Sequence, residues 1–437
     1  MTISNIRYIL NTLLPFLCIL LLASCSPGEE PQETNTRSVL SHDISAGDIQ
    51  THIAFLADDA LRGREAGTAG EARAANYIAD LFRDFGLHPA GDSGTYVQEF
   101  IINMALIRNP HASDDSSSVG EKRIARNVIG LIRGTEQPDR YLVIGAHYDH
   151  IGMGAFGSLN NGRRAAIHNG ADDNASGTAG LLELAHYFSR VPPKTSLLFI
   201  AFSGEEMGLL GSRHFVEHPT IPLEQITAMI NMDMIGRMQN NKLIILGTGS
   251  SSGWEPLIKE INSDSLYIHT VPDGTGASDH TSFYNKKIPV LHYFTDTHAD
   301  YHRPSDDPEY INYKGQSNIL RHIQRLVTAI DTARQDLLAY TEAPETEQQN
   351  MTLKGVTLGV TPDYGFDGKG MRITGVRNGG PADEAGLQSG DIIIGLNGHG
   401  LADIYDYMEA LNTLEEGEKS TVTVLRDDEK LTFDLAL

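Results

Sequence analysis

The sequence predicts an α/β fold, a mostly parallel mixed sheet flanked by helices on both faces, followed by a second, smaller unit. Several short apolar runs lack polar alternation, which is typical of strands buried on both faces. Helical patterns lie between several of these runs, and such alternation of strands and helices favours a sheet covered on both sides. A polar stretch at 340–350, YTEAPETEQQN, separates the two units.

The elements of the first unit can be predicted in order along the chain. Two helices come first, at 45–60 and 67–87, the second with apolar residues at helical spacing. The strands that follow are predicted at 127–133, 141–146, 196–202, 228–232 and 242–247. The remaining helices are predicted at 176–190, 206–217 and 316–336.

The composition argues against one class of partner, nucleic acid. The chain has 437 residues, of which 40% are hydrophobic and 21% charged, a balance typical of a globular protein. Its formal net charge is −23, which argues against a nucleic-acid partner, because a basic surface supplies most of the affinity for nucleic acid. Acidic clusters in such a chain can bind cations.

The first 25 residues differ from the rest of the chain. An apolar run, LLPFLCILLLASC, ends in LASC (22–25), which resembles the lipobox of bacterial lipoproteins. This resemblance implies a signal peptide over 1–25, lipidation of Cys25, a flexible tether over 26–44 and anchoring to a membrane of the bacterial cell envelope, at the outer membrane, the cell surface or the periplasm. The other cysteine, Cys18, would leave with the signal, so the mature domain would have no disulfide.

Polar residues follow most of the predicted strands of the first unit. Because ligands bind at the carboxyl ends of parallel strands, we expect these side chains to converge at one edge of the sheet. Two histidines with several carboxylates suit zinc or a similar divalent ion, and an Asp two residues after a His can orient the imidazole. One aspartate of GADDNASG (170–177) could bridge two metal ions, which would relieve the repulsion between so many carboxylates. The polar residues in question are His147, Asp149, Asp172, Asp173, Glu205, Glu206, Asp233, Tyr301 and His302.

Five motifs in order resemble the di-zinc exopeptidase family, which includes bacterial leucyl aminopeptidases, aminopeptidase Y and glutamate carboxypeptidase. They are HYDH, GADDNASG, SGEEMGLLGS, NMDMIG and YHRPSDD, and the resemblance predicts a peptidase domain over 45–337. It implies two zinc ions and peptide substrates with a free amino terminus. His147 and Asp233 would bind one zinc, Glu206 and His302 the other, and Asp173 both. Asp149 would orient His147, Glu205 would be the general base, and Tyr301 would stabilise the oxyanion.

The run GVRNGGPADEAGLQSGDIIIGLNG (375–398) resembles the PDZ domains of bacterial proteases. The resemblance implies a small β-rich domain over 351–437, behind a linker at 338–350, with a strand at 391–396 and a helix at 404–411. PDZ domains bind extended peptides by strand addition. Leu358, Gly359 and Val360 would then face the carboxylate of a C-terminal peptide ligand.

Three alternatives to an aminopeptidase stay open. A carboxypeptidase or dipeptidase would need a cationic pocket, which Arg163, Arg164 or Arg303 could supply. A glutaminyl cyclase would surround a small pocket with tryptophans, but the one tryptophan of this chain, Trp254, lies outside the motifs. A surface adaptor acting through the PDZ domain would need none of the ligand residues, all of which are present. An aminopeptidase is therefore the favoured interpretation.

Overall fold

The computed structural model describes most of the chain. The described residues are 40–104, 121–155, 157–158, 165–263, 266–298, 300–333, 338–343, 358–362, 368–376, 380–388, 390–402, 406–407, 410–411, 413–414, 417–427 and 429–437. The predicted signal peptide with Cys25 lies outside them, and the tether and linker lie partly outside. Within the described part of the chain, no helix combines the length and the apolar character needed to cross a membrane.

The peptidase-like unit contains nine strands and seven α-helices among its described residues. The strands are β1 His88–Pro89, β2 Val97–Asn103, β3 Lys122–Ile132, β4 Gln137–His147, β5 Thr195–Phe202, β6 Ile226–Met232, β7 Lys242–Leu246, β8 Tyr267–Val271 and β9 Val290–Phe294. The helices are α1 Ala46–Leu56, α2 Ala69–Asp84, α3 Gly177–Arg190, α4 Leu210–Glu217, α5 Trp254–Ile261, α6 His280–Tyr284 and α7 Tyr313–Ala333. Every helix and strand predicted for this unit is present, with bounds that differ by a few residues.

The nine strands form one mixed sheet in the order β1-β3-β5-β4-β6-β9-β7-β8, with β2 paired to β3. The four central strands, β5, β4, β6 and β9, run parallel, and β7 and β8 are parallel to each other. The remaining pairings, of β3 with β1, β2 and β5 and of β7 with β9, are antiparallel. Parallel pairing is thus concentrated at the centre of the sheet, where the predicted ligand residues lie.

Helices cover both faces of this sheet, as predicted. One face packs against α1, α2, α3, α5 and α7 in a large core that includes Ile53, Phe82, Leu184 and Ile323. The other face packs against α4 and α6 through Phe215 and Phe283. Because both faces are covered, the strands carry nearly continuous apolar runs, and all eight residues of β5 are buried.

The C-terminal unit has its own sheet and its own apolar core. Its strands are β10 Val360–Pro362, β11 Met371–Val376, β12 Ile392–Leu396, β13 His399–Gly400, β14 Lys419–Arg426 and β15 Glu429–Ala436, and its helix α8 is Pro381–Ala385. Leu358 is fully buried in this core, and its carbonyl accepts the N–H of Ala382. Val360 begins β10, which pairs with β11. The predicted helix at 404–411 lies partly outside the described residues.

Candidate metal centre

The predicted ligand residues meet at the carboxyl edge of the central parallel strands. His147 is the last residue of β4, and Asp233 directly follows β6. Glu205 and Glu206 follow β5, and His302 lies in the loop after β9. These four strands are neighbours and run the same way, so their ends bring the side chains to one place.

Asp173 joins this group from the segment between β4 and α3. Asn174, the next residue, holds the segment in place: its Oδ1 accepts the N–H groups of Gly177 and Met234, at 2.8 and 3.2 Å. Its Nδ2 donates to the carbonyl of Met232, which ends β6. The peptide bond between Asp173 and Asn174 is cis. Asn174 thus ties the start of α3 to the end of β6, and this fixes Asp173 beside the ligands of both neighbouring strands.

Two groups of ligand atoms share Asp173. In the first group, His147 Nε2 lies 3.2 Å from Asp233 Oδ1 and 3.4 Å from Asp173 Oδ1. In the second, His302 Nε2 lies 3.1 Å from Asp173 Oδ2 and 3.2 Å from Glu206 Oε2. The two carboxylate oxygens of Asp173 therefore face different groups. The structure brings all five predicted ligand residues together.

The spacing of these atoms fits metal ions. Zinc binds nitrogen and oxygen at about 2.1 Å in a tetrahedral arrangement, so two of its ligand atoms stand about 3.4 Å apart. The four separations at the site, 3.1 to 3.4 Å, agree with this value. Asp173, Glu206 and Asp233 are all buried, and so many buried carboxylates require cationic partners. The residues therefore fit divalent ions.

Glu205 lies beside both groups. Its Oε2 is 3.9 Å from His147 Nε2, and its backbone N–H donates to Asp149 Oδ1 at 3.2 Å. Burial raises the pKa of Glu205 well above its ordinary value; His147 opposes this, and the carboxylates of Asp233 and Glu206 add to it. A partly exposed carboxyl with a raised pKa, beside two groups of metal-ligand atoms, is suited to accepting and returning a proton.

Asp149 is fully buried, and its carboxylate is not the atom nearest to the His147 ring. His147 Nδ1 lies 3.2 Å from the backbone carbonyl of Asp149 and 3.7 Å from its Oδ1. The distance to the carboxylate exceeds that of a hydrogen bond, so we assign the orienting contact to the carbonyl. The Asp149 carboxylate instead holds the backbone of Glu205. Residue 149 thus contacts both a ligand residue and the predicted base.

Tyr301 and Asp172 occupy the positions next to two of the ligands. The Tyr301 ring stacks on His302 at 3.9 Å between centroids. Burial raises the pKa of Tyr301 well above its ordinary value, and the charge of Asp173 adds to this, so the phenol keeps its proton. Asp172 is turned away from the ligand atoms: its Oδ1 accepts the N–H of Gly236, and its Oδ2 lies 3.1 Å from His298 Nε2. Asp172 therefore connects the loop that contains Gly236 with the loop that contains His298.

Four further residues support the site, and none of them is among the predicted site residues. Asp306 Oδ2 accepts the backbone N–H groups of Asp172 and Asp173, at 2.9 and 3.0 Å. The fully buried Arg64 donates to the carbonyls of Tyr148 and Gly170. The other two supports are Ser278, whose Oγ donates to Asp233 Oδ2 at 2.8 Å, and Gly157, whose carbonyl lies 2.6 Å from His302 Nδ1.

The residues of the alternative interpretations lie elsewhere or outside the described chain. Trp254 is completely buried in the main core, where its Nε1 donates to Ser250 Oγ. Arg163 and Arg164 lie outside the described residues. Arg303 follows His302 in the same loop, and its backbone N–H donates to the carbonyl of Asp300. The tryptophan of this chain is thus a core residue.

Comparison with known proteins identifies both domains. Residues 127–327 match the model of Peptidase family M28, and residues 348–437 match the model of the PDZ domain. Aminopeptidase YwaD of Bacillus subtilis is 30% identical over 246 residues, which are 53% of this chain and 47% of that protein. A probable zinc metalloprotease of Pyrenophora tritici-repentis is 38% identical over 109 residues, 25% of this chain and 24% of its own length. The match thus spans less than half the length of either relative.

The fold agrees with a solved structure. BSAP, a zinc aminopeptidase from Bacillus subtilis, superposes with a TM-score of 0.52 at 18% identity, over 69% of this chain and 99% of that chain. Such a likeness supports the mixed sheet with its flanking helices. The chain therefore has a peptidase domain that belongs to family M28, and a PDZ domain follows it.

Proposed function

We propose that this chain is a zinc-dependent aminopeptidase, which removes residues from the free amino end of peptides. One observation carries the proposal: the two oxygens of Asp173 face two groups of ligand atoms, each with a histidine and a further carboxylate. His147, Asp173 and Asp233 would hold one zinc ion, and Asp173, Glu206 and His302 a second. Ions held in this way supply a Lewis acid and lower the pKa of water.

The residues of the chain would divide the work of hydrolysis among them. Glu205 would take the proton of the attacking water and return it to the amine that leaves. Tyr301, which keeps its proton, would donate a hydrogen bond to the carbonyl oxygen as negative charge develops there. The similarity to Aminopeptidase YwaD of Bacillus subtilis, 30% identical over 246 residues, favours an aminopeptidase over a carboxypeptidase.

The proposal is tested with matched free and N-acetylated peptides and zinc-loaded protein that begins after Cys25. Mass spectrometry follows the products. We expect stepwise loss of residues from the amino end of the free peptides only. Loss from the carboxyl end of both sets would make the chain a carboxypeptidase, and loss of ammonia from N-terminal glutamine would make it a cyclase. No change in any peptide would contradict the enzyme assignment.

We further propose that Cys25 is lipidated and anchors the chain in the bacterial cell envelope. The support is the sequence LASC after an apolar run, with a polar tether behind it. In a bacterial host, the full chain should partition into the detergent phase and incorporate labelled fatty acid. Cys25→Ser should remove both properties; if labelled fatty acid remains in this variant, the proposed anchor is wrong.

The PDZ domain suits an extended peptide as a second partner, and we propose that it binds C-terminal peptides. Gly359 has a positive φ of 72°, between the buried Leu358 and β10, a conformation that lets the chain turn where a carboxylate would bind. Fluorescence anisotropy with a peptide library should find ligands that lose affinity when their C-terminus is amidated. Equal affinity for the amidated forms would overturn this proposal.

A further inference from the structure

His150 is a buried residue of the metal centre to which the proposed mechanism gives no role. It lies three residues after the end of β4, next to Asp149, and it is completely buried. Its Nδ1 lies 2.5 Å from Glu206 Oε1, while its Nε2 has no hydrogen-bond partner among the described residues. The contact with Glu206 is therefore the hydrogen bond that this ring makes among the described residues.

The surroundings of His150 fix its ring. Its backbone N–H donates to the carbonyl of Arg64 at 3.3 Å. The ring packs against Gly170, where a Cβ would lie 2.5 Å from its Cδ2, so only glycine leaves room for it. Its centroid lies 5.7 Å from that of His302, edge to face. Wedged in this way, the imidazole is held with Nδ1 towards Glu206.

Glu206 presents its two oxygens to different neighbours. Oε1 faces His150, and Oε2 lies 3.2 Å from His302 Nε2, at the second group of ligand atoms. A carboxylate free to rotate could instead turn towards His147 and Glu205, whose ligand atoms also lie within reach of Glu206. A hydrogen bond to Oε1 opposes this rotation.

The distance between His150 Nδ1 and Glu206 Oε1 decides whether His150 is itself a metal ligand or a residue that holds a ligand in place. Two ligand atoms on one tetrahedral zinc stand about 3.4 Å apart. The 2.5 Å between His150 Nδ1 and Glu206 Oε1 is far shorter, below even the roughly 2.7–2.9 Å of a charge-assisted N–H···O hydrogen bond, so the two atoms face each other as donor and acceptor. His150 Nδ1 is also 3.9 Å from Asp173 Oδ2, the other oxygen of this group. The ring is placed to hold a ligand.

We propose that His150 is a positioning residue for the second metal: its Nδ1–H donates to Glu206 Oε1 and keeps Oε2 directed at the ion. This inference rests on the proposed two-zinc site. Partners that orient metal ligands in this way typically contribute 10- to 100-fold to affinity. The His150–Glu206 bond should therefore affect the second zinc and leave the first unchanged.

The test compares zinc binding by the wild-type chain and two variants. His150→Asn keeps an N–H donor at the place of Nδ1, because both nitrogens are bonded to Cγ, and His150→Leu fills similar space without a donor. Metal-free protein is dialysed against buffered zinc concentrations, and bound zinc per chain is counted by atomic emission. We expect two ions in the wild type, a second site weakened about 10- to 100-fold in His150→Leu, and a smaller loss in His150→Asn.

Each other outcome is decisive. Two sites of unchanged affinity in His150→Leu would overturn the inference, and so would His150→Asn losing as much affinity as His150→Leu. Fewer than two zinc ions in the wild type would overturn the two-zinc proposal itself. If circular dichroism finds His150→Leu unfolded, His150→Gln replaces it, because the amide N–H of glutamine lies one bond further from the backbone than that of asparagine. Equal zinc binding by the Gln and Asn variants would then contradict the assigned donor position.

Discussion

Glu205 lies beside the five proposed ligand residues and is proposed to act as the general base instead of a ligand. A general base contributes about 10² to 10⁴ in rate, so Glu205→Gln should lower kcat at least about 100-fold. The same variant should still bind two zinc ions, because the substitution removes a proton acceptor and not a ligand. Peptide turnover and zinc content measured on the same preparation check both expectations. Loss of zinc together with activity would mean that Glu205 is a ligand.

Ser278 contributes one hydroxyl group that orients a proposed ligand. Its Oγ donates to Asp233 Oδ2 and accepts from Asn231 Nδ2, both at 2.8 Å. Ser278→Ala should weaken zinc at the His147–Asp233 position by about 10-fold or more. Ser282→Ala is the matched control, because Ser282 is also buried and bonds Ser212 at 2.9 Å instead of a ligand. Equal zinc affinity in the two variants would remove the role given to Ser278.

The ligand residues could be found from the sequence because each follows a strand or lies in a motif. His147 and Asp233 come at the very end of apolar runs, where polar residues are conspicuous. Their supports could not be found in the same way. Asp306 lies in the motif YHRPSDD and Arg64 outside the motifs, but both act on backbone atoms more than 80 residues away in the chain, and the sequence does not indicate these distant partners. Tertiary structure alone brings them together.

At the scale of elements, α1 and α3 meet through a buried acid. Glu183 on α3 accepts the N–H of Ser45 at 3.1 Å, and its Oε1 lies 3.7 Å from His52 Nε2 on α1. Burial raises the pKa of Glu183 to about 8, although the hydrogen bond from Ser45 opposes this, and burial lowers the pKa of His52 to about 4. Both groups are therefore neutral near pH 6 in the folded chain.

The raised pKa of Glu183 makes stability depend on pH. The folded chain holds this proton up to about pH 8, whereas the unfolded chain releases it near pH 4.5, so stability falls as pH rises between these values. Glu183→Gln removes the titrating group and keeps an acceptor for Ser45. From pH 5 to 8.5, the wild type should lose on the order of 4 kcal/mol relative to the variant. Urea unfolding at both pH values measures this, and parallel losses in the two proteins would contradict it.

Three of the four central strands, β4, β5 and β6, are predicted from the sequence, whereas the fourth, β9, is missing from the prediction although all five of its residues are buried. The second halves of β3 and β4 and nearly all of β5 and β6 are buried, and these parts of the strands are mostly apolar in sequence. β2 is missing from the prediction, because it alternates buried and exposed residues, as an outer strand does. β8 has no fully buried residue, so its apolar signal is weak. The helices at α5 and α6 are too short for a periodic pattern.

In the whole molecule, the first residues of the predicted linker pack against the peptidase domain. Leu338 is 4% exposed and packs in the main core. The backbone N–H and Oγ1 of Thr341 donate to the carbonyls of Ser250 and Gly249, at 2.9 and 2.7 Å. Residues 338–343 are thus attached to this domain, and the predicted linker from 344 onwards lies outside the described residues.

This attachment predicts where the chain can be shortened. A protein that ends at residue 343 should keep the melting temperature of the peptidase domain, because the PDZ domain has its own apolar core. One that ends at 337 loses the burial of Leu338 and the bonds of Thr341, together about 2–4 kcal/mol. Its melting temperature should fall by about 5 °C or more. Equal melting temperatures for the two would show that 338–343 contribute nothing.

Asp173 is proposed to be shared by two zinc ions at the carboxyl edge of the sheet. The most direct test is a crystal structure of the zinc-loaded protein with anomalous data collected on both sides of the zinc absorption edge. We expect two peaks, one bounded by His147, Asp173 and Asp233 and one by Asp173, Glu206 and His302. A single peak, or a peak coordinated by Glu205 in place of these residues, would contradict this proposal.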